Sequence, residues 1–415
     1  MQFAIDIGST TIKVREIDNI SLKNQFIYKR DYTKKVNIQV EKILEDIDSN
    51  EDDFLICSSA NGGIKVGIIS LTSIFSGQLA HNIASSSGAN VLFNYSVSSF
   101  KEENLYPNID ILIVTGGIDC DDKDLISSRL LNIDLANIQF RSLVFAGNKF
   151  LFSKFQKKYP KAIHVDNPLD EHMRISSDKL GNLIRNHYLD DIIQKDGMTS
   201  LKKYTNEVIW STPMIVNIAF QNLSKKIANN IYPSPFIVMD IGGATTDIHF
   251  GIEVVHSEIG DHDSILSNFN RHVFTDLGVY ASRDSTIKRL QNHDKLLDFI
   301  SCISNQTVYE THDQIEKGEI NKTFLFYACI FMALDAVSNF KLKDSPNLDI
   351  ERLEGIIITG GASQYIEEDK IKKIIKMLMS NKNTSNSPNI YVDKEYQLWA
   401  QGIMSIKNFK NDPIN

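Results

Sequence analysis

Two segments of the chain place an aspartate directly before a short run of glycine and hydroxyl residues. The first is FAIDIGSTTIKV at Phe3–Val14, and the second is IVMDIGGATTDIHF at Ile237–Phe250. Apolar residues precede each Asp-Ile-Gly, and apolar and polar residues alternate after it, which is typical of two strands joined by a tight turn. Glycine leaves room for a phosphate to approach the backbone N–H groups of such a turn. Each segment therefore predicts an anion-binding β-hairpin.

The first segment contains the groups that a metal-bound polyphosphate needs, which are N–H and hydroxyl donors, a cation and a carboxylate. The predicted phosphate donors are Gly8, Ser9, Thr10 and Thr11. Lys13 is the predicted cation, and Asp6 is the predicted carboxylate beside the water shell of Mg²⁺, as both a metal and a catalytic candidate. The alternative is an ordinary β-turn followed by a surface lysine.

The second segment repeats this set without the lysine. The residues predicted to surround the β- and γ-phosphates are Gly242, Gly243, Ala244, Thr245 and Thr246. Asp240 is predicted to orient metal-bound water, and Asp247 is a second candidate carboxylate of this segment. The alternatives are a strand-end cap for Asp240 and a surface strand residue for Asp247. Two such segments, more than half the chain apart, indicate duplicated halves that face one nucleotide.

A third glycine-rich turn follows a buried apolar strand in GIIITGGAS at 355–363. Gly360, Gly361 and Ala362 carry little or no side chain, so a flat adenine ring can pass beside the backbone there. A plain tight turn is the alternative.

These three segments resemble, in the same order, the two phosphate loops and the adenosine loop of the actin, hexokinase and Hsp70 superfamily of ATPases. In that superfamily the position of Lys13 often holds a phosphate-binding lysine. The position of Asp247 often holds a polar or acidic residue near the attacking water, which implies that Asp247 helps to activate this water as a catalytic residue. The resemblance implies a two-lobed, actin-like (ribonuclease H-like) α/β fold that binds ATP with Mg²⁺ between its lobes.

Further segments are similar to the MutL-type proteins of glutamate mutase operons, which share only a name with the mismatch-repair factor. They are SSANGGIKVGIIS (58–70), ILIVTGGIDC (111–120), VFAGNKF (144–150), VDNPLD (165–170) and FTDLGVYASRD (274–284). This resemblance implies an ATP-dependent reactivating chaperone for an adenosylcobalamin-dependent mutase or aminomutase. The Asp-Leu-Gly of that family falls at Asp276, Leu277 and Gly278. Thr275 and Val279-Tyr280 depart from its flanks, which puts a basic contact there in doubt.

A linker near 230–236, which contains Pro233 and Pro235 and follows a stretch without strong strand signals, divides the chain into two lobes, 1–232 and 233–415. Within the first lobe, strands alternate with helical stretches over about 53–166, which predicts an embedded α/β unit with a parallel sheet and helices around it. Gly62-Gly63 and Gly116-Gly117 with Asp119 follow strands of that unit and are interpreted as structural turns. The embedded unit is the candidate surface for contact with a partner enzyme.

The composition argues against several classes of function. A formal net charge of −8 and a pI near 5.7 give no general attraction to nucleic acid or to an anionic membrane. No apolar run approaches a membrane span and no signal-like segment opens the sequence, so a cytoplasmic protein is expected. Cys57, Cys120, Cys302 and Cys329 are scattered, which disfavours zinc and iron–sulfur sites. His249, His256 and His262 are interpreted as strand or surface residues rather than metal ligands.

The resemblance therefore implies ATP binding, with ATP hydrolysis that moves the lobes and acts on a mutase. Two rival functions remain open at this point. One is a sugar or acid kinase of the same superfamily, although the sequence does not indicate a pocket for the acceptor substrate. The other is a filament or scaffold protein, and a homo-oligomer is compatible with each function.

Overall fold

The computed structural model describes residues 2–18, 21–47, 54–59, 64–119, 125–170, 172, 174–176, 178–195, 198–205, 209–225, 232–255, 269–339, 347–361, 363–379 and 387–411. The strands are β1 Gln2–Ile7, β2 Thr11–Asp18, β3 Ser21–Lys29, β4 Phe54–Ser58, β5 Lys65–Ser70, β6 Asn90–Ser96, β7 Ile109–Gly116, β8 Phe140–Gly147, β9 Ile163–His164, β10 Trp210–Ser211, β11 Phe236–Ile241, β12 Thr246–Gly251, β13 Phe269–Phe274, β14 Gly355–Thr359 and β15 Asn389–Val392. The α-helices are α1 Val36–Asp46, α2 Gln78–Ser86, α3 Phe152–Lys158, α4 Asp178–Lys195, α5 Thr212–Lys225, α6 Arg283–Gln291, α7 Leu296–Ile303, α8 Val308–Glu316, α9 Lys322–Ser338, α10 Glu368–Leu378 and α11 Leu398–Asn411.

Two of the sheets have the same strand order. The first is β10-β4-β1-β2-β3 and the second is β13-β12-β11-β14-β15. Each sheet contains an antiparallel hairpin, β1-β2 or β11-β12. The first strand of the hairpin also pairs in parallel with a further strand, so that β1 pairs with β4 and β11 pairs with β14. This duplicated order is that of an actin-like, ribonuclease H-like α/β fold, so the predicted fold class is confirmed.

Buried strands and helices surround the two hairpins. The strands β11 and β12 are buried at every position, as expected for strands that are covered on both faces. The helix α9 is apolar on all sides, is buried from Leu325 to Val337 and packs on β11 and β12. The helix α11 packs on α5 and β1, so a late segment of the chain covers the first strand.

The third sheet is wholly parallel, with the order β6-β5-β7-β8-β9. Its core includes Leu112, Val114, Phe145 and Phe155, and helical segments connect its strands. The π-helical turn Ser73–Gly77 leads directly into α2.

The chain forms two compact units. One comprises 1–62, 192–256 and 271–415, and contains the first two sheets up to the boundary within β13. The other comprises 63–191 and 257–270. The strand β4 lies within the stretch 53–166 assigned to the embedded unit, but it pairs with β1 in the first sheet. The lobe bounds 1–232 and 233–415 stay a prediction.

Candidate functional site

The two predicted phosphate loops have the same local geometry. In the first, Gly8 N–H donates to the Thr11 carbonyl at 2.9 Å, and in the second, Gly242 N–H donates to the Thr245 carbonyl at 2.8 Å. The hairpin registers place Asp6 opposite Lys13. The carboxylate Asp240 lies opposite Asp247 in the same way. Both segments are therefore antiparallel hairpins with four-residue loops, as their sequences predict.

The two loops face each other closely. A Cβ built on Gly243 would lie 2.7 Å from Thr10 Cγ2 and 3.1 Å from Ser9 Oγ. A larger residue at this point would have to displace the Thr10 side chain of the opposite loop. The N–H groups of Ser9, Thr10, Gly243 and Ala244 donate to no acceptor among the described residues, so they remain available to a ligand.

A cavity of about 270 Å³ lies between the loops. Among the sequence-predicted residues, those that line it are Gly8, Ser9, Thr10, Thr11, Lys13, Asp240, Gly242, Gly243, Ala244, Thr245, Asp247 and Gly361. Asp6 and Thr246 do not line it. Asp6 lies beneath the loop, and the Thr246 hydroxyl donates to the Leu277 carbonyl at 3.0 Å. The fold thus brings most of the predicted site together.

Asp6 is held by residues from three other elements. The Lys13 ammonium lies 3.0 Å from Asp6 Oδ2, the Thr212 hydroxyl donates to Oδ1 at 2.6 Å, and the Cys57 thiol donates to Oδ1 at 3.7 Å. The Lys13 ammonium also lies 3.6 Å from the ring centroid of Tyr396, a cation–π contact. The predicted phosphate cation and the predicted metal carboxylate are therefore paired with one another in this structure.

The second hairpin distributes its charge differently. The Arg271 guanidinium donates to Asp247 Oδ1 through Nε at 3.1 Å and through an Nη at 2.7 Å. The Thr245 hydroxyl donates to the other Asp247 oxygen at 3.2 Å. The Asp240 side chain has no hydrogen bond or ion pair in the described part of the chain. Burial, and then the nearby Asp247 carboxylate, raise the pKa of Asp240 to about 7.

A second cavity of about 300 Å³ adjoins the first and shares Thr10, Thr11, Lys13, Lys322, Gly361 and Tyr396 with it. The predicted adenosine loop lines it through Gly360 and Gly361. Gly360 has φ +123°, and a Cβ there would lie 2.1 Å from the Ile241 carbonyl oxygen, whereas Gly361 has open space. Ala362 lies outside the described residues.

The Asp-Leu-Gly segment supports the second loop from behind. The N–H of Val279 donates to the Gly242 carbonyl, and the N–H of Tyr280 donates to the Gly243 carbonyl, at 3.2 and 2.9 Å. Asp276 does not line either cavity and accepts two hydrogen bonds from Arg289, at 2.9 and 2.8 Å. This segment therefore positions the loop, and its carboxylate faces away from the cavities.

Sequence reasoning missed five site residues, which are Arg30, Thr212, Arg271, Lys322 and Tyr396. None lies within a glycine-rich segment, and the fold brings each from elsewhere in the chain. Of these five residues, only Arg30 has a position in the sequence that weakly indicates a role in the site. It directly follows β3, the strand that pairs with the first hairpin.

Other predicted turns have structural roles or fall outside the description. A Cβ on Gly116 (φ +127°) would lie 2.5 Å from Leu71 Cβ, and one on Gly117 (φ +80°) would lie 2.1 Å from Ser127 Oγ. Asp119 accepts from the backbone N–H of Lys149 at 2.9 Å. The residues Gly62, Gly63, Cys120, His256 and His262 lie outside the described residues.

Burial and the neighbouring Arg271 hold the pKa of His249 well below its usual range. Cys57, Cys302 and Cys329 are free thiols. Across the described ranges, no helix combines the length and the apolarity that crossing a bilayer requires.

The chain is similar in sequence to the proteins of one family. The sequence profile of the MutL protein family matches residues 2–324. The "Protein MutL" of Clostridium tetanomorphum is 24% identical over 441 residues, which cover 97% of this chain and 95% of that protein.

Two solved structures resemble the chain at a lower level. One is the activator of the 2-hydroxyisocaproyl-CoA dehydratase from Clostridium difficile with bound ADPNP, at 10% identity and a TM-score of 0.32, covering 100% of this chain and 98% of that one. The other is a glycerol dehydratase reactivase, at 9% identity and a TM-score of 0.35, covering 98% and 100%. Because the family profile spans most of the sequence, the chain belongs to the MutL protein family.

Proposed function

We propose that the chain binds Mg²⁺-ATP in the cavity between its two hairpin loops and hydrolyses it. The observation that carries this proposal is the pair of matching loops, one from each sheet, whose free N–H groups face one cavity. A triphosphate is long enough to accept hydrogen bonds from both loops at once. The open flank of Gly361 lets the nucleoside extend toward the second cavity.

The carboxylates beside the cavity fit a Mg²⁺ ion. Asp240 is buried, lines the cavity and has no protein partner within the described ranges, so a divalent cation would satisfy it. Bound Mg²⁺ would supply charge neutralisation for the β- and γ-phosphate oxygens. Asp6 would approach this ion with its orientation already held by Lys13 and Thr212.

Asp247 would orient the attacking water. Arg271 donates to one oxygen of this carboxylate, the Thr245 hydroxyl donates to the other, and Asp247 lines the cavity. A carboxylate fixed in this way can accept a hydrogen bond from water without leaving its position.

The proposed biological role is reactivation of an adenosylcobalamin-dependent mutase or aminomutase in the cytoplasm. Membership of the MutL family supports this role, since the sequence resembles the MutL-type proteins of glutamate mutase operons. ATP that bridges the two loops would hold their sheets together, and loss of the γ-phosphate would release them. Such a cycle could open a partner enzyme and let a damaged cobalamin leave, with the stretch 53–166 as the proposed contact.

The nucleotide site is tested by calorimetry with Mg²⁺-ATP on the wild type and on Asp240→Asn. We expect wild-type binding and at least a tenfold loss in the variant, because the amide cannot replace an anionic oxygen beside Mg²⁺. Equal affinities would contradict the assignment of Asp240.

The partner role is tested by mixing the protein with an inactivated mutase and measuring ATP-dependent exchange of its cobalamin. Exchange that requires ATP supports reactivation. Sugar- or acid-stimulated ATP turnover without exchange would instead indicate a small-molecule kinase.

A further inference from the structure

We infer that Arg30 and Lys322, one from the first sheet and one from the helix beside the second, bind the polyphosphate of the nucleotide. This inference rests on the proposed function and names the cations that serve its site. Neither residue belongs to a glycine-rich loop, yet both side chains line the cavity between the loops.

The conspicuous cations of the site are already neutralised. Lys13 is buried and paired with Asp6 at 3.0 Å, with side-chain exposures of 7% and 1%. Arg271 is buried and paired with Asp247 at 2.7 Å. A triphosphate brings up to four negative charges into the cavity, and these paired cations cannot balance them without giving up their own partners.

Arg30 lies at the end of β3, against the first loop. Its backbone N–H donates to the Thr10 carbonyl at 3.0 Å, and an Nη donates to the Gly8 carbonyl at 3.2 Å. No carboxylate pairs with it in the part of the chain that the structure describes. The loop contacts fix the guanidinium beside the cavity and leave other N–H donors for a phosphate, which Arg binds through two parallel hydrogen bonds.

Lys322 is the first residue of α9, directly after the capping residue Asn321, whose side chain accepts from the Phe324 N–H at 2.8 Å. Lys322 lines both cavities, and within the described ranges it has no carboxylate partner. Burial, and then repulsion by Lys13, lower the pKa of Lys322. An anion between Lys13 and Lys322 would remove this repulsion.

Lys29 also lines the first cavity, but it does not line the second. Lys322 is the better candidate because it lies where the two cavities meet, beside Gly361. A nucleotide that extends from one cavity to the other must pass this ammonium. Arg30 and Lys322 would then bind the phosphates from opposite sides of the cavity.

The test measures the affinities of Mg²⁺-ATP, inorganic tripolyphosphate and adenosine for the variants Arg30→Gln and Lys322→Gln. Each variant should bind the two phosphate ligands about tenfold more weakly, since a charge-assisted hydrogen bond is lost. Adenosine affinity should not change. Lys322→Arg keeps the charge and should retain most of the affinity.

The matched control is Lys317→Gln, in which an exposed lysine paired with Asp313 is lost outside both cavities. Thermal unfolding of each variant shows whether its fold is retained. Wild-type binding of Mg²⁺-ATP with unchanged affinity in both variants overturns the inference. Failure of the wild type to bind Mg²⁺-ATP overturns the proposed function itself.

Discussion

Equivalent positions in the two hairpins carry opposite charges. Lys13 lies across from Asp6 in the first hairpin, and Asp247 lies across from Asp240 in the second. In the first pair the lysine neutralises the aspartate. The second pair places two carboxylates opposite each other, and Arg271 from β13 neutralises Asp247. The duplicated backbone thus presents one carboxylate that is held by a lysine and another, Asp240, that is left for a cation.

Loss of the Arg271 side chain should destabilise the fold. Arg271→Met leaves the buried Asp247 carboxylate without its main counter-charge, so we expect the free energy of unfolding to fall by about 3 kcal/mol. Urea denaturation measures this change. In the control Arg289→Met, the partly exposed pair with Asp276 is lost, and the expected cost is below about 1 kcal/mol. Equal effects of the two substitutions would refute this account.

Local sequence predicts the loops better than it predicts their partners. Asp6, Lys13, Asp240 and Asp247 follow from hairpin register, because a four-residue loop places each aspartate opposite a residue seven positions later. Arg271 reaches Asp247 only through the strand order of the folded sheet, and neither composition nor spacing indicates that contact. The Arg271–Asp247 ion pair therefore depends on topology, whereas the Lys13–Asp6 pair follows from the hairpin itself.

At the scale of elements, the chain packs so closely against the second hairpin just after β14 that no side chain fits there. This strand pairs in parallel with β11, and its chain then turns at Gly360, against the Ile241 carbonyl. Gly361, one residue later, faces the two cavities with open space. Two adjacent glycines therefore serve different purposes, one for packing and one for access.

Substitution of these two glycines should separate stability from binding. Gly360→Ala combines a left-handed φ of +123° with a Cβ 2.1 Å from a backbone oxygen, so a loss of at least about 2 kcal/mol in unfolding free energy is expected. Gly361→Ala should change stability by less than about 0.5 kcal/mol. It should still weaken Mg²⁺-ATP binding, because the methyl group enters the cavity lining.

Thermal melts and calorimetry on both glycine variants check this prediction. A stable Gly360→Ala protein would show that the turn can move away from Ile241. Unchanged affinity in Gly361→Ala would show that the nucleotide does not pass this backbone.

The sequence pattern also predicts most of the elements. Strands with alternating or continuous apolar residues appear where they are expected, including β1, β2, β11, β12 and β14. The membership of β4 was harder to predict, because its run FLICS resembles the parallel strands that follow it. Its pairing with β1 depends on contacts distant in sequence.

At the scale of the whole molecule, one of the two compact units contains a histidine that makes its stability sensitive to acid. His81 lies in the unit of 63–191 and 257–270, and burial lowers its pKa to about 4. In the unfolded chain the same group has its ordinary pKa near 6.5. As pH falls below 6.5, the unfolded chain takes up a proton that the folded chain does not, so folding stability is lost down to about pH 4.

Hydrogen exchange at pH 7 and pH 5 checks this prediction. Amides of β5, β6 and α2 should lose protection at pH 5 in the wild type, and His81→Gln should reduce that loss. His164→Gln is the control, because His164 is an exposed histidine of the same unit. If the pH dependence is the same in His81→Gln, another group is responsible for the acid sensitivity.

The helix α11 covers β1 and α5, although it is made long after both. On the ribosome, the apolar strand that leads into Asp6 emerges long before residues 398–411, and it is not fully enclosed until they follow. Contacts so distant in sequence form slowly and leave nascent chains open to aggregation. An mRNA truncated before the codons of this helix would therefore yield a fragment that aggregates and is rapidly degraded. Such a fragment would not bind the nucleotide.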